Sequence, residues 1–301
     1  MSYHKLFVSQ SNIFGGFQKT FDQADYVIFG VPFDVTSTYR RGAKFAPNAI
    51  REASLNIETY SFRTGLDLED LKIHDLGDLD VLSSVEKTLE RLELVVKEIL
   101  ERGKKLVVIG GEHTITFGIA KGFKNIASET ALISFDAHLD LREEFLGLKI
   151  SHTTFMRRIN EEIKPAKILE VGTRAVCREE LKYAEKAGIE FFTVHQIRKQ
   201  GIGGILRQLK EKLNGMKNVY LSIDMDVLDP GFAPAVQNPE PEGLEPHILI
   251  DILSGLCDEK VIGFDVVEVT PPYDHGTSAI QAAKIILEVL CQMENSRRSK
   301  I

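Results

Sequence analysis

The chain of 301 residues has no tryptophan and only three cysteines, Cys177, Cys257 and Cys291, odd in number and far apart. That spacing offers neither a disulfide framework nor a zinc ribbon. Cys257 and Cys291 fall in apolar helical stretches and read as core residues. There is no basic block either: 37 Lys+Arg stand against 44 Asp+Glu, a net charge of −7. Nucleic acid and anionic membrane surfaces are therefore poor partners, whereas a cationic ligand fits. No long apolar segment follows the start Met1-Ser2-Tyr3-His4-Lys5. Neither a signal peptide nor a membrane span is expected, and the expected location is the cytoplasm. Internal repeats and low-complexity tracts are missing too, leaving one domain over residues 1–301 as the expectation.

What is present is a series of short apolar runs that stop at metal-type donors. Ala131-Leu132-Ile133 leads into Ser134-Phe135-Asp136-Ala137-His138-Leu139-Asp140-Leu141-Arg142, where Asp136, His138 and Asp140 recur at every second residue. If the run is a strand, its two-residue period puts all three on one side of its end. Val219 to Ile223 delivers Asp224 and Asp226 in the same way, and Lys105 to Ile109 runs into Gly110-Gly111-Glu112-His113. Any one of these alone is an ordinary polar strand exit. Together, at the strand ends where parallel α/β proteins build their sites, they suggest a binuclear metal centre. Crowded carboxylates and imidazoles raise one another's proton affinity unless a divalent cation compensates them. Four carboxylates and two imidazoles are hard to borderline donors, which suit manganese best and are compatible with iron, cobalt, zinc or magnesium.

Strands are expected near 24–32, 72–76, 105–109, 131–135, 167–171, 189–193, 219–226 and 261–269, with Glu268 at the end of the last. Helices are expected between them: from Pro47 to Ser54, from a Ser83/Glu86 capping box to Gly103, from a Ser151 cap onward, and at 179–187, 204–213, 247–256 and 278–293. This alternation reads as an α/β fold with a mostly parallel sheet of about eight strands covered on both faces. His152, near a helix start, reads equally as a surface histidine or as one that titrates close to neutrality. Asp229-Pro230-Gly231 reads as a turn, so Asp229 is not expected to ligate. The Gly110-Gly111 pair lacks the spacing and the Lys-Ser/Thr of a phosphate loop.

With these residues in view, the chain resembles the ureohydrolase family of arginases and agmatinases almost end to end. Gly110 to His113, Ser134 to Arg142, Ser222 to Pro230 and Asp265 to Val269 are similar to its four signature blocks, in order. The resemblance implies a three-layer α/β/α fold with an eight-stranded parallel sheet, two Mn2+ per subunit and a homotrimer or homohexamer. By it, His113, Asp136, Asp140 and Asp224 would hold one ion, and Asp136, His138, Asp224 and Asp226 the other, so that Asp136 and Asp224 bridge. Glu268 matches the guanidinium-binding glutamate and His152 the proton-shuttling histidine; Asp140 is the alternative source of the proton for the leaving amine.

The loop Asp140 to Gly147 looks like the agmatinase form, in which Glu143 and Glu144 would repel an amino-acid carboxylate and attract the distal ammonium of agmatine. Ala235 to Gly243 departs from the Gly-Thr-Gly-Thr-Pro-like run of agmatinases. The implied reaction is attack of a metal-activated water on the guanidinium carbon of a small cationic substrate, giving urea and, from agmatine, putrescine. Arginine, guanidinobutyrate and formimidoylglutamate are alternative substrates within the family. A single-zinc amidohydrolase would leave His113 and Asp226 without a role, and a silent polyamine-binding protein would not need six ligands.

Overall fold

The apolar runs become strands buried on both faces. The computed structural model describes residues 2–9 and 12–299, and in it nine strands form one sheet. They are β1 (Val8–Ser9), β2 (Tyr26–Gly30), β3 (Ile73–Leu79), β4 (Lys105–Ile109), β5 (Thr130–Phe135), β6 (Lys167–Thr173), β7 (Glu190–Thr193), β8 (Asn218–Asp224) and β9 (Val261–Val267). Their order across the sheet is β1-β3-β2-β4-β9-β8-β5-β6-β7. Strands β2 to β9 are mutually parallel, as expected. The ninth strand is a two-residue antiparallel edge, Val8 opposite Leu79 and Ser9 opposite Asp78, too short to stand out in the sequence.

Side-chain alternation divides the core into two layers. Ile28, Val107, Ile133, Leu221 and Val266 meet the helices Ala46–Ser54, Pro246–Leu256 and Thr277–Arg298 on one face. Val27, Leu106, Val108, Leu132 and Tyr220 meet Val85–Glu101 and Ile115–Gly122 on the other. The result is the expected three-layer α/β/α arrangement. Among the described residues no helix is long and apolar enough to cross a membrane.

Several local expectations are corrected. The helix Val85–Glu101 is capped by Ser84 rather than Ser83, because Ser84 is the residue with extended backbone and its Oγ accepts the Lys87 N–H at 3.3 Å. Residues 151–154 form a turn, closed by Thr154 N–H to Ser151 O, and the helix begins only at Phe155. It passes into a π-helical turn, Ile159–Ile163, which Lys164 ends with φ +58°. The helix expected at 204–213 spans Val194–Lys212, bent at Gly201 with φ +70°; three glycines had masked its first half.

Candidate active site

Four strands adjacent in the sheet, β4, β9, β8 and β5, end level with one another. Ile109 is in register with Val266, Asp224 with Val267, and Ile223 with Phe135. The residue types that follow these ends are therefore forced together. Strand β5 itself stops at Phe135, so strand alternation does not align Asp136, His138 and Asp140 as the sequence suggested. A turn does it instead. Asp136 Oδ1 accepts the N–H of His138 at 2.5 Å, and Asp224 Oδ1 accepts that of Asp226 at 2.7 Å. In each Asp-x-His or Asp-x-Asp unit one carboxylate oxygen closes the turn and the other is left to face the site. Asp140 completes its set at φ +50°.

The donors converge below a cleft. His113 Nδ1 lies 3.0 Å from Asp224 Oδ2, 3.1 Å from Asp136 Oδ2 and 3.7 Å from Asp140 Oδ2. His138 Nδ1 lies 3.0 Å from Asp226 Oδ2 and 3.4 Å from Asp136 Oδ1. Two groups, His113/Asp136/Asp140 and Asp136/His138/Asp226, are compact enough to hold an ion, and Asp136 belongs to both.

The tautomer of His113 makes the case for a cation. Its Nε2 is 2.9 Å from Ser222 Oγ, and that hydroxyl donates to Asp265 Oδ1 at 2.7 Å. Ser222 must then accept from Nε2–H, so that the neutral ring carries its lone pair on Nδ1, which lies among carboxylate oxygens without a hydrogen-bond partner. Lone pairs converging on one point fit a metal ion, and an oriented second hydrogen bond is what ligating imidazoles carry. In the protein alone the strain appears as shifted protonation. Burial opposes charge on His113 and His138, yet the neighbouring Asp224, Asp136 and Asp226 carboxylates raise both imidazoles well above their ordinary value. Burial raises Asp140 and Asp224, and neighbouring carboxylates add to it. Glu170, buried in β6, is raised by the same causes.

Glu268 follows β9 with φ +71°, a conformation that costs a non-glycine residue about 1–3 kcal/mol and recurs at functional sites. Its N–H donates to Gly111 O at 2.9 Å, and its Oε1 accepts the N–H of His113 at 2.5 Å. Gly111 is required here, since a Cβ would stand 1.9 Å from Phe33 O. The other oxygen, Glu268 Oε2, is buried without a partner. Burial, with Asp224 nearby, pushes the Glu268 carboxyl up.

A cavity of ≈ 490 Å³ opens over these groups, and His138, Asp140, Asp224, Asp226, His152 and Glu268 line it. His113 and Asp136 lie buried beside the same donors. Burial, reinforced by His138 and His113, pushes His152 down to about 4, so the ring is neutral at pH 7 rather than titrating near neutrality as its position suggested. Glu143 and Glu144 are not brought to the cavity wall. Glu143 is 62% exposed and paired with Arg157 at 3.0 Å.

Residues that sequence reasoning passed over complete the site. Asn238 and Glu240, from the divergent loop, line the cavity, as do Glu180 and Arg174. Arg174 donates to the carbonyls of Asp226, Glu240 and Pro241 at 2.6, 2.8 and 2.9 Å, tying that loop to the Asp226 turn. Arg174 follows a strand end, the signal that revealed the candidate metal donors; its being a cation kept it out of a search for them. Asp229, as expected, serves a turn, accepting from Gly231 and Gly243 N–H.

Comparison with known proteins agrees with this geometry. Residues 24–291 match the model of the arginase family. An agmatinase from Halalkalibacterium halodurans is 36% identical over 277 residues, 91% of this chain and 93% of the relative. The solved agmatine ureohydrolase of Thermoplasma volcanium superposes with a TM-score of 0.89 at 34% identity, covering 100% of both chains. A proclavaminate amidino hydrolase from Streptomyces clavuligerus superposes with a TM-score of 0.88 at 30% identity, covering 96% of this chain and 99% of the other.

Proposed function

Because the chain belongs to the arginase family, hydrolases acting on guanidino groups, we propose that it is a di-manganese agmatinase, converting agmatine and water to putrescine and urea. His113, Asp136, Asp140 and Asp224 would hold one ion, and Asp136, His138, Asp224 and Asp226 the other. When bound, the ions would supply a water nucleophile active at neutral pH.

The observation that carries the reading is the free oxygen of Glu268. Oε1 is anchored to a backbone N–H beside the metal ligands while Oε2 stays buried and unpartnered. A buried carboxylate oxygen without a donor is costly, and a guanidinium N–H is the donor it lacks. Held there, the guanidinium carbon sits over the donor cluster. Water oxygen bonds to that carbon, and the C–N bond to the alkyl chain breaks. The departing amine needs one proton, and His152, a neutral ring on the cavity wall, would take up the proton that the attacking water loses and relay it to the amine, with Asp140 as the alternative donor. Glu180 and Glu240 in the wall favour a cationic tail. Arg142 in the same wall favours a guanidino acid, which is the second reading.

The test is urea release by manganese-loaded protein from agmatine, arginine and 4-guanidinobutyrate, with the ions per chain measured. Agmatine is expected to be turned over with by far the highest kcat/KM. Preference for either amino or guanidino acid would reassign the substrate, and silence with two ions bound would overturn the reading.

A further inference from the structure

Glu112 lies next to a metal ligand but faces away from the donor cluster, toward the loop after β2. It is wholly buried and receives five donors. Oε2 accepts the N–H groups of Thr36 and Ser37 at 2.7 and 3.0 Å and the Ser37 hydroxyl at 3.2 Å. Oε1 accepts the hydroxyls of Thr36 and Thr114 at 2.6 and 2.7 Å. Burial raises its proton affinity, against which these donors act.

The consequence falls on His152. Thr36 spends its only hydroxyl hydrogen on Glu112, so toward every other neighbour its oxygen can only accept. It accepts the backbone N–H of His152 at 3.1 Å and lies 3.3 Å from that ring's Nδ1. An acceptor at Nδ1 requires Nδ1–H, and the neutral ring then carries its lone pair on Nε2. On that side Thr38 Oγ1 stands 3.3 Å away as a donor. Thr38 lines the cavity, whereas Thr36 is buried behind it.

We propose that Glu112 and Thr36 are positioning residues that lock His152 in its Nδ1–H tautomer, leaving Nε2 as the proton-exchanging atom turned to the cavity. The reverse tautomer would set the Nδ1 lone pair against a Thr36 oxygen that has no hydrogen to offer. The consequence for turnover rests on the proposed role of His152; the tautomer itself does not.

One substitution makes the proposal sharp. In Glu112→Gln the two fixed backbone donors must keep the amide oxygen at the Oε2 position, which places NH2 at the Oε1 position. Thr36 then accepts from the amide, and its freed hydrogen turns to Nδ1. The tautomer of His152 should invert.

Long-range 15N–1H spectra of the histidine-labelled full chain read this directly. The protein is taken at pH 7 with diamagnetic Zn2+ to avoid paramagnetic broadening, and His152→Gln assigns the signal. Expected are a protonated Nδ1 and bare Nε2 in the native protein and in Thr36→Ser, a reversed pattern in Glu112→Gln, and a mixture in Thr36→Val. A native ring protonated on Nε2, or an unchanged pattern in both Glu112→Gln and Thr36→Val, overturns the proposal. The native spectrum decides even if a variant fails to fold. In urea release from agmatine, Thr36→Val should lose about tenfold or more in kcat with KM within about twofold, and Thr36→Ser should recover it. Native protein that carries the tautomer but releases no urea leaves the positioning intact and refutes the proposed function alone.

Discussion

Nδ1 of His113 stands 3.0 Å from Oδ2 of Asp224, close enough that either a proton or a metal ion must lie between them. The two occupants respond oppositely to pH. A histidine whose folded pKa is raised adds stability that is complete below its unfolded value, about 6.5, and is lost as pH climbs through the folded one. His113 and His138 are of this kind, and the raised Asp140, Asp224 and Glu268 carboxyls act with the same sign. Asp136 and His152 shift the other way, but their windows lie below pH 7. Metal-free protein should therefore lose thermal stability from about pH 7 to 9. Mn2+ at about 100 times Kd should add about 2.7 kcal/mol, and its affinity should rise with pH because the ligands must shed protons. Thermal melts with and without Mn2+ test this; a metal-free protein that gains stability over that range would contradict it.

Asp265 touches no candidate metal position, yet it orients His113 through Ser222 and also accepts from Tyr220 and Thr116 at 2.9 and 3.1 Å. Ser222→Ala frees the imidazole to rotate. Metal affinity, measured by competition with a chelator, should fall about tenfold to a hundredfold.

Glu268→Gln keeps an oxygen to accept the His113 N–H, so the metal site should survive. What it removes is the negative charge facing the guanidinium. Metal content is expected to be unchanged while turnover falls by at least about a hundredfold, the scale of one or two charge-assisted hydrogen bonds. Near-native urea production by this variant would remove Glu268 from its assigned role.

Glu143 and Glu240 offer a contrast in how a substrate tail is met. Glu143 is paired with Arg157 outside the cavity, while Glu240 lines it, 3.8 Å from His138 Nε2. Glu143→Ala should leave KM for agmatine within about twofold, whereas Glu240→Ala should raise it by about fivefold, near the upper end of what a partly exposed ion pair contributes. Equal effects would return the tail to the Glu143-Glu144 loop.

Arg174→Lys should loosen the loop that carries Asn238 and Glu240, since an ammonium has three donors and no planar fork. A loss of about 1 kcal/mol is expected, because the part-buried carbonyls of Asp226 and Glu240 lose donors. A melt unchanged from the native protein would show that the clamp is dispensable.

The sequence by itself determined the layers and which His and Asp side chains gather as candidate metal donors. Buried parallel strands are unbroken apolar runs, and the donors stand immediately after them, so both patterns are local and legible residue by residue. It also misled locally: the i, i+2 spacing at Asp136 and His138 looked like strand alternation and is a side-chain turn. Only the tertiary structure decided which strand ends are neighbours, because β9 and β8 insert between β4 and β5 and bring Glu268 and Asp224 beside His113. It alone could place Thr36 against Glu112, 76 residues on, and against His152, 116 residues on, or Arg174 under the 238–241 loop. Those contacts follow no period in the chain. They arise where separate strand exits and loops close over one sheet edge, and hydrogen-bond partners chosen by that closure leave no mark in the order of residues.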